Sequence, residues 1–446
     1  MHGTAHTASQ VIFDLSPLAV SLAIFVLTYV IIVTEKINRS IVALLGAGLM
    51  IFSGVLRQNE AFAGLDLNTI GLLTGMMVIV AITQKSGVFQ YVAVVAAKAV
   101  RADPWGLLVM LSVVTAVFSA LLDNVTTVLL IAPVALLITD ALKLNPYPYL
   151  FSVIFASNIG GAATLIGDPP NIMIGSAAKL TFNDFLINLA PVSVVIFFLT
   201  LIPFYLIWGR KLHAAAEDRA QVMAFDEKEA ITDVRLLKQS LSVIALVILG
   251  FSLSHSIGQE PATIAMFGAA LLLLLRAFGK GAEEQSHEVH HTFGEVEWVT
   301  IFFFVGLFVV VAGVEKAGAL TILAKQIVDL TGGDLGGTVI VILWVSAVAS
   351  AVVDNIPFVA TMIPVIQNMA PTFGAEHLNT LWWSLALGAC LGGNGSLVGA
   401  SANLVVAGFA ERAGQPIRFM PFLLMAFPLM LMSIAVSTAY LWLRYL

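Results

Sequence analysis

The feature that most constrains this chain is a series of apolar stretches, each long enough to cross a bilayer as a helix of about 20 residues. The stretches lie at 18–34, 40–56, 69–84, 105–122, 124–142, 188–208, 239–256, 262–278, 298–314, 338–353, 356–370 and 419–443. A dozen such spans with short connecting loops account for the 446 residues and leave no room for a sizeable soluble catalytic domain. We therefore predict an all-α polytopic membrane protein that is a transporter or channel and not an enzyme.

Composition excludes several other classes. Only 11% of the residues are charged, against roughly a quarter in soluble domains, and the net charge of −6 without a basic cluster argues against nucleic acid. The single cysteine, Cys390, excludes an intrachain disulfide and a cysteine-built metal site, and we expect it to be a small buried apolar residue.

Two sequence motifs for metal and nucleotide binding are absent. The HEVHH segment at 287–291 lacks the HExxH spacing of zinc proteases, so we expect a solvated loop there. No phosphate-binding loop of the Gly-x-x-x-x-Gly-Lys type occurs, which argues against transport driven by a nucleotidase within this chain. We predict neither a cofactor nor a metal site.

Charged segments predict the orientation. The longest polar segment lies at 209–238 and a second at about 279–297, and basic residues in loops favour the cytoplasm. Placing 209–238 inside puts the N-terminus outside. Because successive spans alternate in direction, this choice also places the following basic residues on the cytoplasmic side: Lys36, Arg39, Lys98, Arg101, Arg276 and Lys280. No basic segment precedes 18–34, so we predict a retained first helix and a multi-pass protein of the cell inner (plasma) membrane.

The two halves of the chain repeat each other. SALLDNVTTVLLIAPVALLI at 119–138 aligns with SAVVDNIPFVATMIPVIQNM at 350–369, a shift of 231 residues. A shift of 232 carries GGAATLIGDPPN at 160–171 onto GGNGSLVGASAN at 392–403, and a third block at 84–87 follows the first shift. Three blocks in one register indicate an internal duplication.

The repeats have opposite sense in the predicted membrane. The span at 69–84 runs from outside to inside, and its counterpart at 298–314 runs from inside to outside. Inverted repeats with broken helices are typical of secondary transporters, because two inverted halves can exchange inward-facing and outward-facing shapes around one site. We assign 1–208 to the first inverted repeat, 209–238 to a cytoplasmic linker and 239–446 to the second.

Two carboxylates lie deep in the matched apolar blocks. Asp123 and Asp354 are each followed by Asn, and an ionisable residue inside a membrane indicates a functional site. Each can carry a proton or bind a cation. Each can equally cap a half-helix by accepting hydrogen bonds from free N–H groups, and the two roles are compatible.

Two further apolar stretches, at about 150–178 and 381–410, contain the Gly, Asn and Pro residues expected of broken helices. Their polar side chains, which can surround a small ion or a neutral polyol, are those of Asn158, Thr164, Asn171, Asn394, Ser396 and Asn403. Packing through small residues explains the glycines but not four buried asparagines.

Asp168 has no acidic counterpart in the second half, since Ala400 takes its place. It is a further candidate for proton coupling or for a helix cap. Lys85 and Lys316 also correspond, and we expect both to snorkel at span ends.

Three segments resemble one transporter group: LLDNVTTVLLIAPV at 121–134, NIGGAATLIGDPPNIMI at 158–174 and LGACLGGNGSLVGASANLVVAG at 387–408. They are similar to the arsenite permease and pink-eyed dilution protein group of the ion transporter superfamily, which borders D-type sodium/proton antiporters and citrate carriers. The resemblance implies a scaffold domain and a transport domain with two re-entrant hairpins and two broken helices, often in a homodimer. One departure is that Ile356 and Pro357 follow the second Asp-Asn pair.

The repeat and the resemblance together define a candidate substrate or ion site. It comprises Asp123, Asn124, Thr126, Thr127, Asn158, Thr164, Asn171, Asp354, Asn355, Asn394, Ser396 and Asn403. The leading hypothesis is a secondary active permease that exports arsenite or antimonite, coupled to protons through Asp123, Asp354 or Asp168. A sodium/proton antiporter, an anion channel and a dicarboxylate carrier are the alternatives, the last being weaker because no arginine falls within the broken segments.

Overall fold

The computed structural model describes residue 11, residues 14–34 and residues 36–446, and the regular elements in these ranges are all helical. The first-half helices are α1 (Pro17–Thr34), α2 (Arg39–Phe52), α3 (Gln58–Ala63), α4 (Leu67–Gln84), α5 (Val88–Ala99), α6 (Pro104–Leu121), α7 (Asn124–Ala141), α8 (Tyr147–Gly161), α9 (Pro169–Ala178), α10 (Phe182–Asn188) and α11 (Ala190–Phe204), which continues as a π-helix over Tyr205–Gly209. The predicted all-α class is confirmed. The N-terminal segment before residue 11, which we expect to face outside, lies outside the described residues.

The second half has a matching series. Its helices are α12 (Ala216–Met223), α13 (Val234–Ile257), α14 (Pro261–Ala277), α15 (Ala282–Gly294), α16 (Trp298–Lys316), α17 (Ala319–Leu330), α18 (Leu335–Val352), α19 (Asn355–Gln367), α20 (Ala370–Phe373), α21 (Leu378–Gly392), α22 (Ser401–Arg412) and α23 (Phe419–Tyr445). Among the described residues, nine helices are long and apolar enough to cross a bilayer. The expectation of a solvated loop at 287–291 is wrong, because these residues lie in α15, a polar helix.

The apolar runs at 105–122 and 124–142 form a hairpin of α6 and α7. Lys143, just after α7, forms an ion pair with Asp218 of the linker at 2.7 Å. Arg219, also in the linker, donates to the backbone carbonyl of Arg101, just before α6, at 2.9 Å. Both open ends of the hairpin therefore lie on the linker side.

The second hairpin, of α18 and α19, opens on the opposite face. Thr331, just before α18, bonds to Thr338 at 2.7 Å, and Asn368, just after α19, accepts from Thr321 of α17 at 3.1 Å. Because α17 follows the far end of α16, both open ends lie away from the linker. The inverted sense predicted from the sequence repeat is present in the fold.

Each hairpin packs along a broken helix through glycines. Gly160 of α8 lies so close to α6 that an added Cβ would meet the carbonyl oxygen of Ala116 at 2.2 Å. Gly392 of α21 approaches Ala347 of α18 in the same way, with its carbonyl oxygen at 2.6 Å. Small residues permit this close contact of helix backbones. The predicted broken stretches are confirmed as α8 and α9 separated at 162–168, and α21 and α22 separated at 393–400.

The helices form two bundles, and each combines helices from both repeats. In the scaffold bundle, α2 packs along α16 and α4 along α14, with α1 and α13 beside them. The hairpin bundle contains the two hairpins, the two broken helices, α11 and α23. Within it, α7 contacts α22 and α19 contacts α9, so each hairpin meets the broken helix of the other half. The amphipathic helices α5 and α17 connect the bundles along the chain.

Candidate substrate-binding centre

The two hairpin tips and the two helix breaks meet in one place. Together with the residues that flank them, we call this place the central site (122–127, 158–171, 353–355 and 393–403). Asn158 connects three of its parts. It accepts from the Asn124 amide at 3.3 Å and donates to the side-chain oxygens of Asn394 and Asn403, each at 3.0 Å. All four amides are buried. Sequence positions 34 to 245 residues apart are thereby joined in one hydrogen-bonded chain.

The hairpin acids cap the second arms of their hairpins. Asp123 accepts from the backbone N–H of Thr126 at 2.8 Å and from its hydroxyl at 2.5 Å. Asp354 accepts from the backbone N–H of Ile356 at 3.1 Å. Capping, one of the two predicted roles, is thus present at both sites, and the functional role stays a prediction.

Equivalent hydrogen bonds hold each break against its hairpin. Ser119 donates to the carbonyl of Ser157 at 2.6 Å, and the equivalent Ser350 donates to Ala389 at 2.6 Å. The broken segments donate in return, from Thr164 to Ala120 at 2.6 Å and from Ser396 to Ala351 at 2.5 Å. These pairs follow the shifts of 231 and 232 residues. Thr164 and Ser396, predicted to face the substrate, use their hydroxyl hydrogens on backbone.

Two asparagines of the candidate site support the breaks from within. Asn171 donates to carbonyls of the first break, including that of Thr164 at 2.9 Å. Asn403 donates in the same way to the carbonyls of Gly393 at 2.7 Å and Ser396 at 2.8 Å. Because these amides satisfy carbonyls that the unwound backbone leaves free, they stabilise the breaks.

Three polar atoms of the central site have no hydrogen-bond partner within the described part of the chain. They are Asn124 Oδ1, Thr127 Oγ1 and Asn394 Nδ2, and all three are buried. A buried polar atom left unsatisfied costs about 1–3 kcal/mol. The first hairpin therefore presents two oxygens, and the second break one amide donor, that a small bound ligand or water could satisfy.

Asp168 lies at the first break and is fully buried. The Asn355 amide donates to both of its carboxylate oxygens at 3.3 Å. Over the described ranges, no Lys, Arg or His forms an ion pair with it. An isolated buried carboxylate is costly unless it takes up a proton or a cation.

Cys390 is buried and free, and its thiol donates to Asn171 Oδ1 at 3.4 Å. The predicted burial of this residue within the apolar core is confirmed.

Sequence reasoning missed Arg39, the first residue of α2. Its guanidinium donates from Nη1 to Asp354 Oδ2 at 2.9 Å and to the hydroxyl of Ser401, the first residue of α22, at 2.5 Å. The available signal was its position at the start of an apolar run. In the sequence, however, an arginine in a loop cannot be distinguished from an arginine at the end of a membrane span. An arginine therefore reaches the second hairpin from the scaffold bundle, although none lies within the broken segments.

The two corresponding lysines lie away from the central site. Lys85 directly follows α4 and forms a 3.4 Å ion pair with Glu295, and its amine is 3.0 Å from His291 of α15. Lys316 ends α16 and forms a 2.6 Å ion pair with Glu60, whose pKa this hydrogen bond lowers. Both lie at helix ends, as predicted.

Cavities lie where the two bundles meet, one toward each face. A cavity of about 280 Å³ on the α1–α2 loop side is lined by Asn38, Arg39, Asp354 and Ser401 among apolar residues. A second, of about 340 Å³, lies between α3 and α9 on the far face. Each lies between helices of the scaffold bundle and helices of the hairpin bundle.

Comparison with known proteins identifies the family. A family model described as citrate transporter matches residues 29–388. An uncharacterized transporter of Mycobacterium tuberculosis (strain H37Rv) is 42% identical over 96% of this chain and 98% of its own length. The P protein of Homo sapiens is 33% identical over 95% of this chain and 59% of its own length.

Two solved transporter structures share the fold at 12% sequence identity. YdaH of Alcanivorax borkumensis has a TM-score of 0.52, covering 96% of this chain and 99% of its own. MtrF of Neisseria gonorrhoeae, whose structure is described as illuminating a class of antimetabolite efflux pumps, has a TM-score of 0.57, covering 97% and 96%. The predicted fold class and the similarity to the pink-eyed dilution side of the group are confirmed. The chain is a multi-pass membrane transporter and belongs to the citrate transporter family.

Proposed function

We propose that this protein is a secondary active transporter that exports arsenite or antimonite from the cytoplasm in exchange for protons. The observation that carries the proposal is the charge of the central site. Three carboxylates, Asp123, Asp168 and Asp354, lie there, and Arg39 is the basic side chain that contacts one of them. Such a site suits a neutral trihydroxy solute better than a free anion, because like charges repel strongly where water is excluded.

The unsatisfied polar atoms support the same substrate class. Asn124 and Thr127 offer buried oxygens that accept hydrogen bonds from hydroxyl groups, and Asn394 offers a donor. A small hydroxylated solute can satisfy donors and acceptors together. The same oxygens could also coordinate sodium, which keeps the sodium/proton antiporter as an alternative reading.

Asp168 is the strongest candidate for the coupling proton. It is buried, lacks an ion-pair partner in the described ranges, and contacts Asn355 of the opposite hairpin. A carboxylate in this setting is stabilised by a proton, so loading and release of that proton can alternate with loading and release of the solute.

The second candidate function is transport of a dicarboxylate or a tricarboxylate. Two observations favour it: the family description and the guanidinium of Arg39 beside Asp354. A polyanion would require prior binding of protons or cations to the site acids.

Proton flux in proteoliposomes, read with a pH-sensitive dye, tests these proposals. Arsenite, antimonite, sodium, lithium and citrate are added in turn. We expect a response to arsenite or antimonite that is lost in Asp168→Asn and retained in Asp329→Asn, an exposed acid on α17. A response confined to sodium or lithium would instead establish an antiporter, and one confined to citrate a carboxylate carrier.

We further propose that the protein resides in the plasma membrane with the 209–238 linker in the cytoplasm, and that it forms a homodimer. The first point rests on the basic residues of the linker side. The second rests on the resemblance stated above.

A further inference from the structure

Arg39 connects the two bundles directly. On the scaffold side, its guanidinium lies over the ring of Phe303 at 5.0 Å and donates to the hydroxyl of Thr300 at 3.5 Å, both in α16. On the other side it bonds to Asp354 and Ser401 of the hairpin bundle. The side chain is three-quarters buried, so the contact is shielded from solvent.

The hairpin side of this contact is itself a small network. Ser401 donates to the same oxygen, Asp354 Oδ2, that receives the Arg39 hydrogen bond, at 2.6 Å. One guanidinium thus holds both the tip of the second hairpin and the start of α22. Hydrogen bonds to charged groups contribute more than neutral ones, and a partly buried pair is weakly screened by salt.

The first repeat has no equivalent contact. Asp123 corresponds to Asp354, but the groups that bond to it belong to Thr126, and over the described ranges it forms no ion pair. Ser401 corresponds to Pro169, which has no hydroxyl. The fold is therefore pseudo-symmetric, whereas an ion pair between a hairpin tip and the scaffold bundle is present, over the described ranges, at the second hairpin only.

We propose that Arg39 is a positioning residue that latches the second hairpin to the scaffold bundle, and that the latch must open for the hairpin bundle to move during transport. A carrier with an unoccupied, charged Asp354 is held in place. When a proton or a bound solute takes the place of the guanidinium at Asp354, the hairpin bundle is released. The latch thereby links occupancy of the central site to movement and limits slippage of the empty carrier.

The ionisable groups near Asp354 are few in the described part of the chain. Arg39 approaches from α2, and Asp168 acts on it electrostatically from the first break. At this contact α16 and α22 supply the uncharged Thr300, Phe303 and Ser401. The charged or ionisable side chains at this contact are therefore those of Arg39, Asp354 and, from the first break, Asp168.

Hydrogen–deuterium exchange in lipid nanodiscs tests the latch without a substrate. In Arg39→Gln we expect exchange at least about fivefold faster at 353–358 and 400–404, with unchanged exchange at the first hairpin tip, 122–127. Arg210→Gln, an exposed arginine on the linker side, is the matched control and should change neither. Equal acceleration at both hairpin tips, or at neither, would overturn the latch.

A transport assay tests its coupling role, which rests on the proposed function. Arsenite uptake into proteoliposomes is measured with and without an imposed pH gradient. We expect the ratio of the two rates to fall toward 1 in Arg39→Gln, to be intermediate in Arg39→Lys, and to recover partly in the swap Arg39→Asp with Asp354→Arg. A purely structural role would lower both rates without changing the ratio, and a wild-type ratio in Arg39→Gln would overturn the coupling role. If the wild-type protein does not transport arsenite, the proposed function is wrong. In that case the hydrogen–deuterium exchange experiment still tests the latch.

Discussion

At the residue scale, the capping role of Asp123 can be separated from its charge. Asparagine is as good an N-cap as aspartate, so Asp123→Asn keeps an oxygen for the Thr126 N–H, whereas Asp123→Ala removes it. We expect both variants to lose proton-coupled transport. Only the alanine variant should lose about 1 kcal/mol of unfolding free energy.

Thermal unfolding in detergent and pH-driven transport in proteoliposomes measure these two effects. An Asp123→Asn protein that is folded and fully coupled would remove this carboxylate from the mechanism. The same pair of substitutions at Asp354 provides a comparison, since this acid also meets Arg39.

The residue scale also shows how far the candidate site could be predicted. The sequence predicts Asn158, Asn394 and Asn403 as polar residues of the broken stretches and Asn124 as part of the candidate site. In the structure these four amides form one hydrogen-bonded chain. Arg39 could not be chosen, because its contact depends on where the scaffold lies against the second hairpin. Side-chain direction is likewise set by packing, which is why Thr164 bonds to backbone.

At the scale of the elements, the contact of α6 with α8 depends on one missing side chain. Gly160→Ala would place a Cβ 2.2 Å from the carbonyl oxygen and 2.7 Å from the Cα of Ala116, both backbone atoms that cannot move aside alone. We expect a loss of about 1–3 kcal/mol in unfolding free energy, as for overpacked cores. Gly408→Ala, in a helix with open space around the position, is the control and should be neutral or slightly stabilising.

Thermal unfolding temperature and the yield of monodisperse protein report this change. An unaltered Gly160→Ala protein would show that α6 and α8 can separate freely. That result would contradict a rigid hairpin bundle.

The sequence predicted where most of the helices lie, but it did not predict which of them span the bilayer and which form a hairpin. The apolar runs agree closely with the helices, for example 105–122 with α6 and 298–314 with α16. An apolar run has the same composition whether it crosses the bilayer or returns as half of a hairpin. The amphipathic α5 and the polar α15 were missed because neither has a long apolar run.

At the scale of the whole molecule, the inverted topology predicts which surfaces face each side. Gln221 in α12 lies on the linker side, Asp329 in α17 lies on the opposite face, and both are exposed. With Cys390 buried, a cysteine introduced at either position is expected to be the main reactive thiol. In intact cells, a membrane-impermeant maleimide should label Asp329→Cys and not Gln221→Cys.

Permeabilised cells should label both variants, which controls for folding and exposure. Labelling of Gln221→Cys alone in intact cells would reverse the orientation. Labelling of both in intact cells would contradict the inverted repeat.

The sequence by itself determined the all-helical membrane class, the duplication, its inverted sense and the positions of the two helix breaks. These follow from hydropathy, from helix-breaking residues and from charge in loops, which act locally or through a repeat readable along the chain. Only the tertiary structure decided that each bundle mixes helices of both repeats, that Asp168 faces Asn355, and that Arg39 spans the two bundles. Contacts between distant segments depend on how all the helices pack together. The amino-acid sequence alone does not give the distance between two such segments.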